Sequence, residues 1–386
     1  MFSTQLRREH THGLLMGAAI GEALGYPYQG MSRRQILGKV GRFPMKYALI
    51  PGVGIPAFHT SSLYLTAQAI VCSASESKTF VDRFKRRLGW YILSCPVGLD
   101  AATFRACLLT WLRYFSVSTG SRSTDNAPAT RSLFLALALN GTGARIRRWV
   151  ELSTAVTHTH PLTSDGCVVL AGLAEQIVEN IENFDAMEAC EKLALMSKEP
   201  ELRDRLAMLP DFLRAEKSPR TVANHFGWEA GINSSIIPTT IMSAYCFLRY
   251  PNDFRRAVES GIRLGGDTSA MGAIIGGLSG TNLGVKLLPK DLADGLSDFA
   301  YGPTWINGMA LRMSHWPHGP NDLHSAHAEP AAIVELTITN LVRGILLLMK
   351  RVARFCPRRN DESQSVNRRP GGGSLDARAG QIRLPS

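Results

Sequence analysis

An all-α fold is what this 386-residue sequence predicts, on three observations. Apolar residues, 45% of the chain, recur at three- and four-residue intervals rather than alternating. No pair of strand-like runs is joined by a tight-turn dipeptide, and no segment repeats at a fixed period. Clusters of Pro and Gly fall between the periodic runs, at Pro51 to Pro56, Ser118 to Pro128, His158 to Asp165 and Pro289 to Asp291.

The runs follow in order. His12 to Leu24 predicts a helix with Gly13, Gly17 and Gly21 on one stripe, which lets a second helix approach closely; it is too short to cross a bilayer. Leu63 to Ser73, Phe80 to Ser94, Ala101 to Phe115, Thr130 to Leu139 and Arg147 to Val156 keep the same spacing. So do Gly166 to Glu182, Ala186 to Met196, Glu201 to Met208, Ile237 to Arg249 and Phe254 to Arg263. The run Met271 to Gly280 is almost entirely Gly, Ala, Ile, Leu and Met, so a helix there is apolar on every side and buried. It is preceded by Arg263-Leu264-Gly265-Gly266-Asp267-Thr268. Two glycines permit a tight turn, and a polar turn at the mouth of a buried helix suits an anion or a metal. Asp267 and Thr268 are equally ordinary N-caps, so this turn has two readings.

These runs assign residues 1–313 to one compact multi-helix domain. Pro317 to Pro330, with His315, His318, His324 and His327 in or beside it, predicts a linker, set at 314–331. Ile333 to Phe355 predicts a basic amphipathic helix (332–356). Ile338, Leu341, Val342, Ile345, Leu348, Met349, Val352 and Phe355 share one face, and Arg343, Lys350, Arg351 and Arg354 share the other. Such a helix either packs on the domain or lies on an anionic membrane surface through residues 333–355. Residues 357–386, rich in Arg, Gly and Ser, predict a disordered basic tail.

From Arg343 onward ten Lys/Arg face three acids, so +7 of the net +11 charge belongs to the C-terminal segment. A folded nucleic-acid reader would spread that charge over its face, and no specific nucleic-acid partner is expected. Seven cysteines, an odd number without any CxxC pair, argue against a disulfide framework and predict a reducing, cytoplasmic setting, with the basic helix allowing a peripheral place at a membrane. Met1 to His12 has no apolar secretory core. There is no Gly-x-Ser-x-Gly elbow, Walker A sequence or HExxH pair.

Four separated segments carry a resemblance. They are Gly13-Leu-Leu-Met-Gly-Ala-Ala-Ile-Gly-Glu-Ala-Leu-Gly25, His59-Thr60-Ser61-Ser62-Leu63, Thr157-His158-Thr159-His160-Pro161, and Gly265-Gly266-Asp267-Thr268. In type and order they resemble the ADP-ribosylglycohydrolase family, the group related to dinitrogenase-reductase-activating glycohydrolase, from about His12 to about Leu311. Thr124-Asp-Asn-Ala-Pro-Ala-Thr-Arg131 resembles that family's Gly-Asn-Gly-Ala-Met-Arg region. The resemblance implies a mostly helical domain whose cleft binds ADP-ribose or an ADP-ribosylated substrate beside two Mg²⁺ ions. Cleft-lining positions carried over are Thr60, Ser61, Ser62, Asn126, His158, Gly265, Gly266, Thr268 and Ser269. Asp267 and Glu22 are the candidate catalytic acids.

The ligand set departs from the family pattern. The family holds Mg²⁺ with Thr-Asp-Asp-Thr early and Asp-x-Asp-Thr late. Here Thr60-Ser61-Ser62-Leu63 and Asp267-Thr268-Ser269-Ala270 stand in those places, and Gln29 replaces a Glu that follows the first helix. Mg²⁺ wants hard, charged oxygen donors, and an amide is neither acid nor base. No cofactor is therefore expected, with at most a single metal ion on Asp267. Three functions follow: a degenerate family member that binds ADP-ribose or a related nucleotide with hydrolysis lost or reduced; an active glycohydrolase with a rearranged site, using Asp267 with Glu22 or Asp125 with Asp165; and a membrane-surface or partner-docking protein that works through its C-terminal helix.

Overall fold

The computed structural model describes residues 4–41, 44–73, 75–112, 119–139, 143–316 and 333–355. Among them there are helices and only isolated backbone pairings, with no strand. The first helix, α1 (Thr4–Gly25), is longer than the apolar periodicity suggests, because its polar first two turns reach beyond the core. The short α2 (Arg33–Val40) is set by a capping box, in which Ser32 accepts from the Gln35 backbone and the Gln35 side chain accepts from the Ser32 backbone. Helices α3 (Phe58–Val71), α4 (Ser77–Tyr91), α5 (Ala101–Leu112), α6 (Ala129–Leu139) and α7 (Gly143–Ala155) follow. Pro161 at the first position and His160, whose ring accepts from the Leu162 N–H, start α8 (Pro161–Glu179) several residues earlier than its apolar run does.

Four helices, α9 (Ala186–Met196), α10 (Pro200–Leu206), α11 (Leu209–Arg214) and α12 (Pro219–His225), wrap one side of the domain. The last three each carry Pro in the first turn. The chain returns through α13 (Ile236–Arg249) and α14 (Phe254–Ile262) to α15 (Thr268–Leu283), then α16 (Lys290–Ala293) and α17 (Pro303–His315). Residues 317–332, which hold most of the predicted linker, and the tail from 356 lie outside the described residues.

At the centre are α1, α6, α8, α13 and α15. Leu14, Ile20, Phe134, Leu173, Tyr245, Phe247 and Ile274 are all fully buried. The tightest contact is the antiparallel pair α1 and α15. A Cβ placed at Gly13, Gly17, Gly21 or Gly25 would lie 1.9–2.2 Å from a carbonyl oxygen of α15, and one at Gly272, Gly276 or Gly280 would meet α1 in the same way. Only glycine lets two backbones approach so closely.

The last helix, α18 (Ile333–Phe355), departs from the expected orientation. Its first half packs on the domain through Leu336, Asn340 and Arg343, which are 7%, 1% and 4% exposed, while Leu341 and Ile345 of the apolar stripe are 63% and 49% exposed. Arg343, assigned to the solvent face by its charge, points inward because it finds acceptors there: the Asn340 side chain at 2.6 Å and the Pro56 carbonyl. Asn340 in turn donates to the Ser94 carbonyl and hydroxyl, both at 2.9 Å.

Candidate active site

The glycine contact between α1 and α15 brings the end of one helix to the start of the other. Glu22, on the last turn of α1, is fully buried. Its Oε2 accepts from the Ala57 and Thr60 N–H groups at 2.8 and 2.9 Å, and its Oε1 accepts from the His59 N–H at 2.9 Å and the Ser269 hydroxyl at 3.1 Å. Helix α3 thus has no side-chain cap of its own, and a carboxylate from another helix holds its positive end. This is why α3 begins at Phe58 rather than Leu63. Thr60, Ser61 and Ser62 consequently sit in its first turn, not in a loop. Their hydroxyls are locally engaged. Thr60 Oγ1 donates to the Ala18 carbonyl (3.5 Å), Ser61 Oγ donates to the Ala57 carbonyl (2.9 Å), and Ser62 Oγ accepts from Arg131 (3.4 Å).

Gly265 and Gly266 turn the chain into α15 with φ of +85° and +81°. A Cβ on Gly266 would lie 2.0 Å from the Ile232 carbonyl oxygen, so both conformation and space require glycine. The turn is tied down on two sides, by Gly30 N–H to the Gly266 carbonyl (2.9 Å) and Ile232 N–H to the Gly265 carbonyl (3.0 Å). Asp267 caps α15. Its Oδ1 accepts from the Ala270 N–H (3.2 Å) and from Gln29 Nε2 (2.9 Å), and its Oδ2 accepts from Asn126 Nδ2 (2.9 Å). Gln29 completes a ring by accepting from the Ser269 N–H at 3.0 Å. Thr268 Oγ1 donates to the Gly25 carbonyl at 2.8 Å. Asp267, Glu22, Thr60, Ser61, Asn126, Thr268 and Ser269 are therefore gathered at one place.

Next to it lies a second polar cluster. Arg131 of α6 is fully buried, and burial lowers its pKa to about 10, which leaves it charged at neutral pH. It donates to Ser62, to the Ser153 carbonyl at 3.1 Å and to Thr157 Oγ1 at 2.7 Å, with its guanidinium 5.0 Å from the Phe84 ring centre. Its partners are hydroxyl and carbonyl oxygens rather than a carboxylate. His158, also fully buried at its ring, contacts Thr157 Oγ1 through Nδ1 (2.8 Å) and approaches Asp100 Oδ1 through Nε2 (3.5 Å). Burial lowers its pKa to about 4, against the opposing pull of Asp100, so the imidazole is neutral. Asp100 carries no motif and was not among the sequence candidates; it precedes α5 and comes to His158 only through the fold. Asp165, the other candidate acid, is spent elsewhere, accepting from Ser197, Lys198 and Glu199 beside Arg147.

A cavity of about 120 Å³ opens beside Thr60, Ser61 and Tyr64, with Tyr301 on one wall and Asn340 and Arg343 of α18 on another. Residues of α18 thus roof the approach to the first turn of α3.

Comparison with known proteins agrees with the helical fold. The ADP-ribosylglycohydrolase family model matches residues 3–321. Similar proteins include ADP-ribosyl-[dinitrogen reductase] glycohydrolase of Rhodospirillum rubrum, 24% identical over 288 residues, with 72% of this chain and 87% of that protein covered. ADP-ribosylhydrolase ARH3 of Mus musculus is 25% identical over 324 residues, with coverage of 72% and 85%. An uncharacterized protein of Archaeoglobus fulgidus is 24% identical over 295 residues, with coverage of 75% and 92%. Among solved structures, an ADP-ribosylglycohydrolase-related protein complex superimposes with a TM-score of 0.58 at 20% identity, over 81% of this chain and 99% of that one, which supports the fold. By the extent of the family match and the helical fold, the chain belongs to the ADP-ribosylglycohydrolase family.

Proposed function

We propose that this chain binds ADP-ribose, or a nucleotide close to it, beside the Glu22 and Asp267 cluster where α1, α3 and α15 meet, and that it has lost or greatly reduced the ability to hydrolyse it. One observation carries the reading. Where the family's two Mg²⁺ ions would lie, the carboxylates are Glu22 and Asp267, and both already accept from several donors: four N–H or O–H groups on Glu22 and three N–H groups on Asp267. The hydroxyls of Ser61 and Ser62, in the positions of two family carboxylates, bring no charge. Mg²⁺ binds through near-octahedral oxygen donors and gives up its water reluctantly. An ion pair here would have to expel the amides of Gln29 and Asn126, whose donating hydrogens face the very oxygens it needs. The residues present do not fit a pair of Mg²⁺ ions.

Calorimetric titration with ADP-ribose, with and without Mg²⁺, tests the reading. Saturable binding of equal affinity in both conditions is expected, with no product from ADP-ribosyl-arginine, ADP-ribosyl-serine or O-acetyl-ADP-ribose. Mg²⁺-dependent turnover that is lost in Asp267→Ala would replace it with a working hydrolase.

A second reading, attachment to an anionic membrane surface, rests on the outward face of α18. Leu341 is 63% exposed and Ile345 49%, and Leu93, beside the Ser94 that anchors Asn340, is 46% exposed. Trp90 and Trp111, stacked edge to face, are 52% and 46% exposed. Exposed tryptophan and aliphatic side chains suit the headgroup boundary. No helix among the described residues is long and apolar enough to cross a membrane. Flotation with anionic vesicles, comparing the full chain with one lacking 332–386, tests this; equal recovery of both forms removes α18 from the interaction.

A further inference from the structure

We propose that Asp100, Asp125 and His158 form a binding site for one divalent transition-metal ion of the zinc class, held by one imidazole nitrogen and two carboxylate oxygens. The site is separate from the Asp267 cluster and does not depend on whether the cleft hydrolyses anything.

Three segments distant in sequence build it. Asp100 precedes α5, where its Oδ1 accepts from the Thr103 N–H at 2.8 Å. Asp125 sits in the turn before α6, accepting from Ser123 Oγ at 2.5 Å and Ser234 Oγ at 3.3 Å. His158 follows α7. Its strand-like backbone pairs with Ser121, through Ser121 N–H to the Thr157 carbonyl (3.0 Å) and Thr159 N–H to the Ser121 carbonyl (2.9 Å), which fixes the turn holding Asp125 against the histidine. One donor atom from each of the three residues lies within 4.8 Å of the other two.

The acids alone would not make a site. What points to a ligand is that the atoms facing one another are unpartnered. His158 is 1% exposed and its Nε2 has no hydrogen-bond partner; Asp100 Oδ2 is likewise buried without one. Thr157 Oγ1 lies 2.8 Å from His158 Nδ1 and holds the ring so that Nε2 turns toward Asp100 Oδ1, 3.5 Å away. That separation is close to the edge of a zinc coordination tetrahedron, about 3.4 Å for ligands near 2.1 Å from the ion. A contact from the far ring nitrogen to a protein oxygen is the usual outer support of a metal-bound histidine. Asp100 and Asp125 are partly exposed, giving an entry path and leaving coordination positions to water. Imidazole with two carboxylates favours zinc-class ions over Mg²⁺, which seeks an all-oxygen set.

The test uses the full-length protein after chelator treatment and dialysis. Zn²⁺ binding is measured by calorimetry, and Co²⁺ is used as a spectroscopic stand-in. One equivalent is expected, undisplaced by a hundredfold excess of Mg²⁺, with a cobalt spectrum free of thiolate charge transfer. His158→Ala should weaken binding by more than the 10–100-fold typical of losing an outer partner. Asp125→Asn, at a half-exposed position that leaves the core intact, should weaken it at least about tenfold while its circular dichroism and thermal melt stay as in the parent. Replacing His318, His324 and His327 together by Ala should leave the tight equivalent unchanged. No tight Zn²⁺ equivalent on the parent protein, unchanged affinity in the folded Asp125→Asn variant, a thiolate-type cobalt spectrum, or loss of binding on removing those three histidines would each overturn the assignment.

Discussion

Replacing Gly17 by Ala is a stringent probe of the helix pair that assembles the site. The added Cβ would lie 2.2 Å from the Gly276 carbonyl oxygen, whereas ordinary contact begins at 3.4 Å. The two backbones would have to separate by about 1 Å, and no rotamer change can absorb it, because the obstacle is main chain. Overpacking of this kind costs about 3 kcal/mol, and the better helix propensity of alanine offsets about 1 kcal/mol of it. A net loss of about 2 kcal/mol follows, which for a domain of this size lowers Tm by roughly 3–6 °C. The same separation pulls Ser269 from Glu22 (3.1 Å) and Thr268 from the Gly25 carbonyl (2.8 Å), so the ADP-ribose affinity proposed above should fall together with stability. Gly38→Ala is the matched control. Its Cβ meets nothing within 4 Å in a helix, so that variant should be unchanged or stabilised by up to about 1 kcal/mol. Denaturant titration with calorimetry reads both. A Gly17→Ala protein as stable as the parent would refute the packing argument.

Glu22→Gln replaces one acceptor oxygen by an amide that must face an N–H or O–H donor; urea titration should show a loss of about 2–3 kcal/mol, and an unchanged midpoint would mean α3 does not need this cap. On α8, burial and then the neighbouring Glu179 raise the carboxyl of Glu175 to about 7. The folded state therefore holds that proton more firmly than the unfolded chain. The resulting stabilisation is present below the ordinary carboxylate range and is lost as pH rises through about 7. After screening of this partly exposed group it amounts to about 1 kcal/mol, so Glu175→Gln should flatten the stability curve between pH 4.5 and 7, and a parallel curve would assign the slope elsewhere. Replacing Asn340 and Arg343 by Ala removes the bonds that hold α18 to Ser94 and Pro56, and faster hydrogen exchange across residues 333–347 is expected; unchanged protection would show that Leu336 and its apolar contacts suffice.

Much of the helical layout is legible in local spacing. The apolar periodicity of α6, α8, α13 and α15 gives their extent within a few residues, and the glycine stripe of α1 announces a close neighbour. Asp267 as the cap of α15 follows from the Gly-Gly-Asp-Thr turn. What local pattern could not supply is any group whose partner is remote. The start of α3 is set by Glu22, 35 residues before Ala57. Arg343 turns inward because Pro56, 287 residues away, offers it a carbonyl. Asp100 has nothing in its own neighbourhood to mark it; only the backbone pairing of Ser121 with His158 and the packing of α5 bring it to the imidazole. The short α2, α12 and α16 lack the length for periodicity to register, and caps and prolines define them instead.

The family match stops at residue 321, and α18 begins beyond it. Trimming the protein to the homologous portion would therefore unroof the hollow beside Ser61 and strip Ser94 and Pro56 of their partners. Such a shortened molecule would present a more open hollow beside Ser61 than the whole chain does, and the wall that closes it belongs to a segment that alignment with relatives would discard.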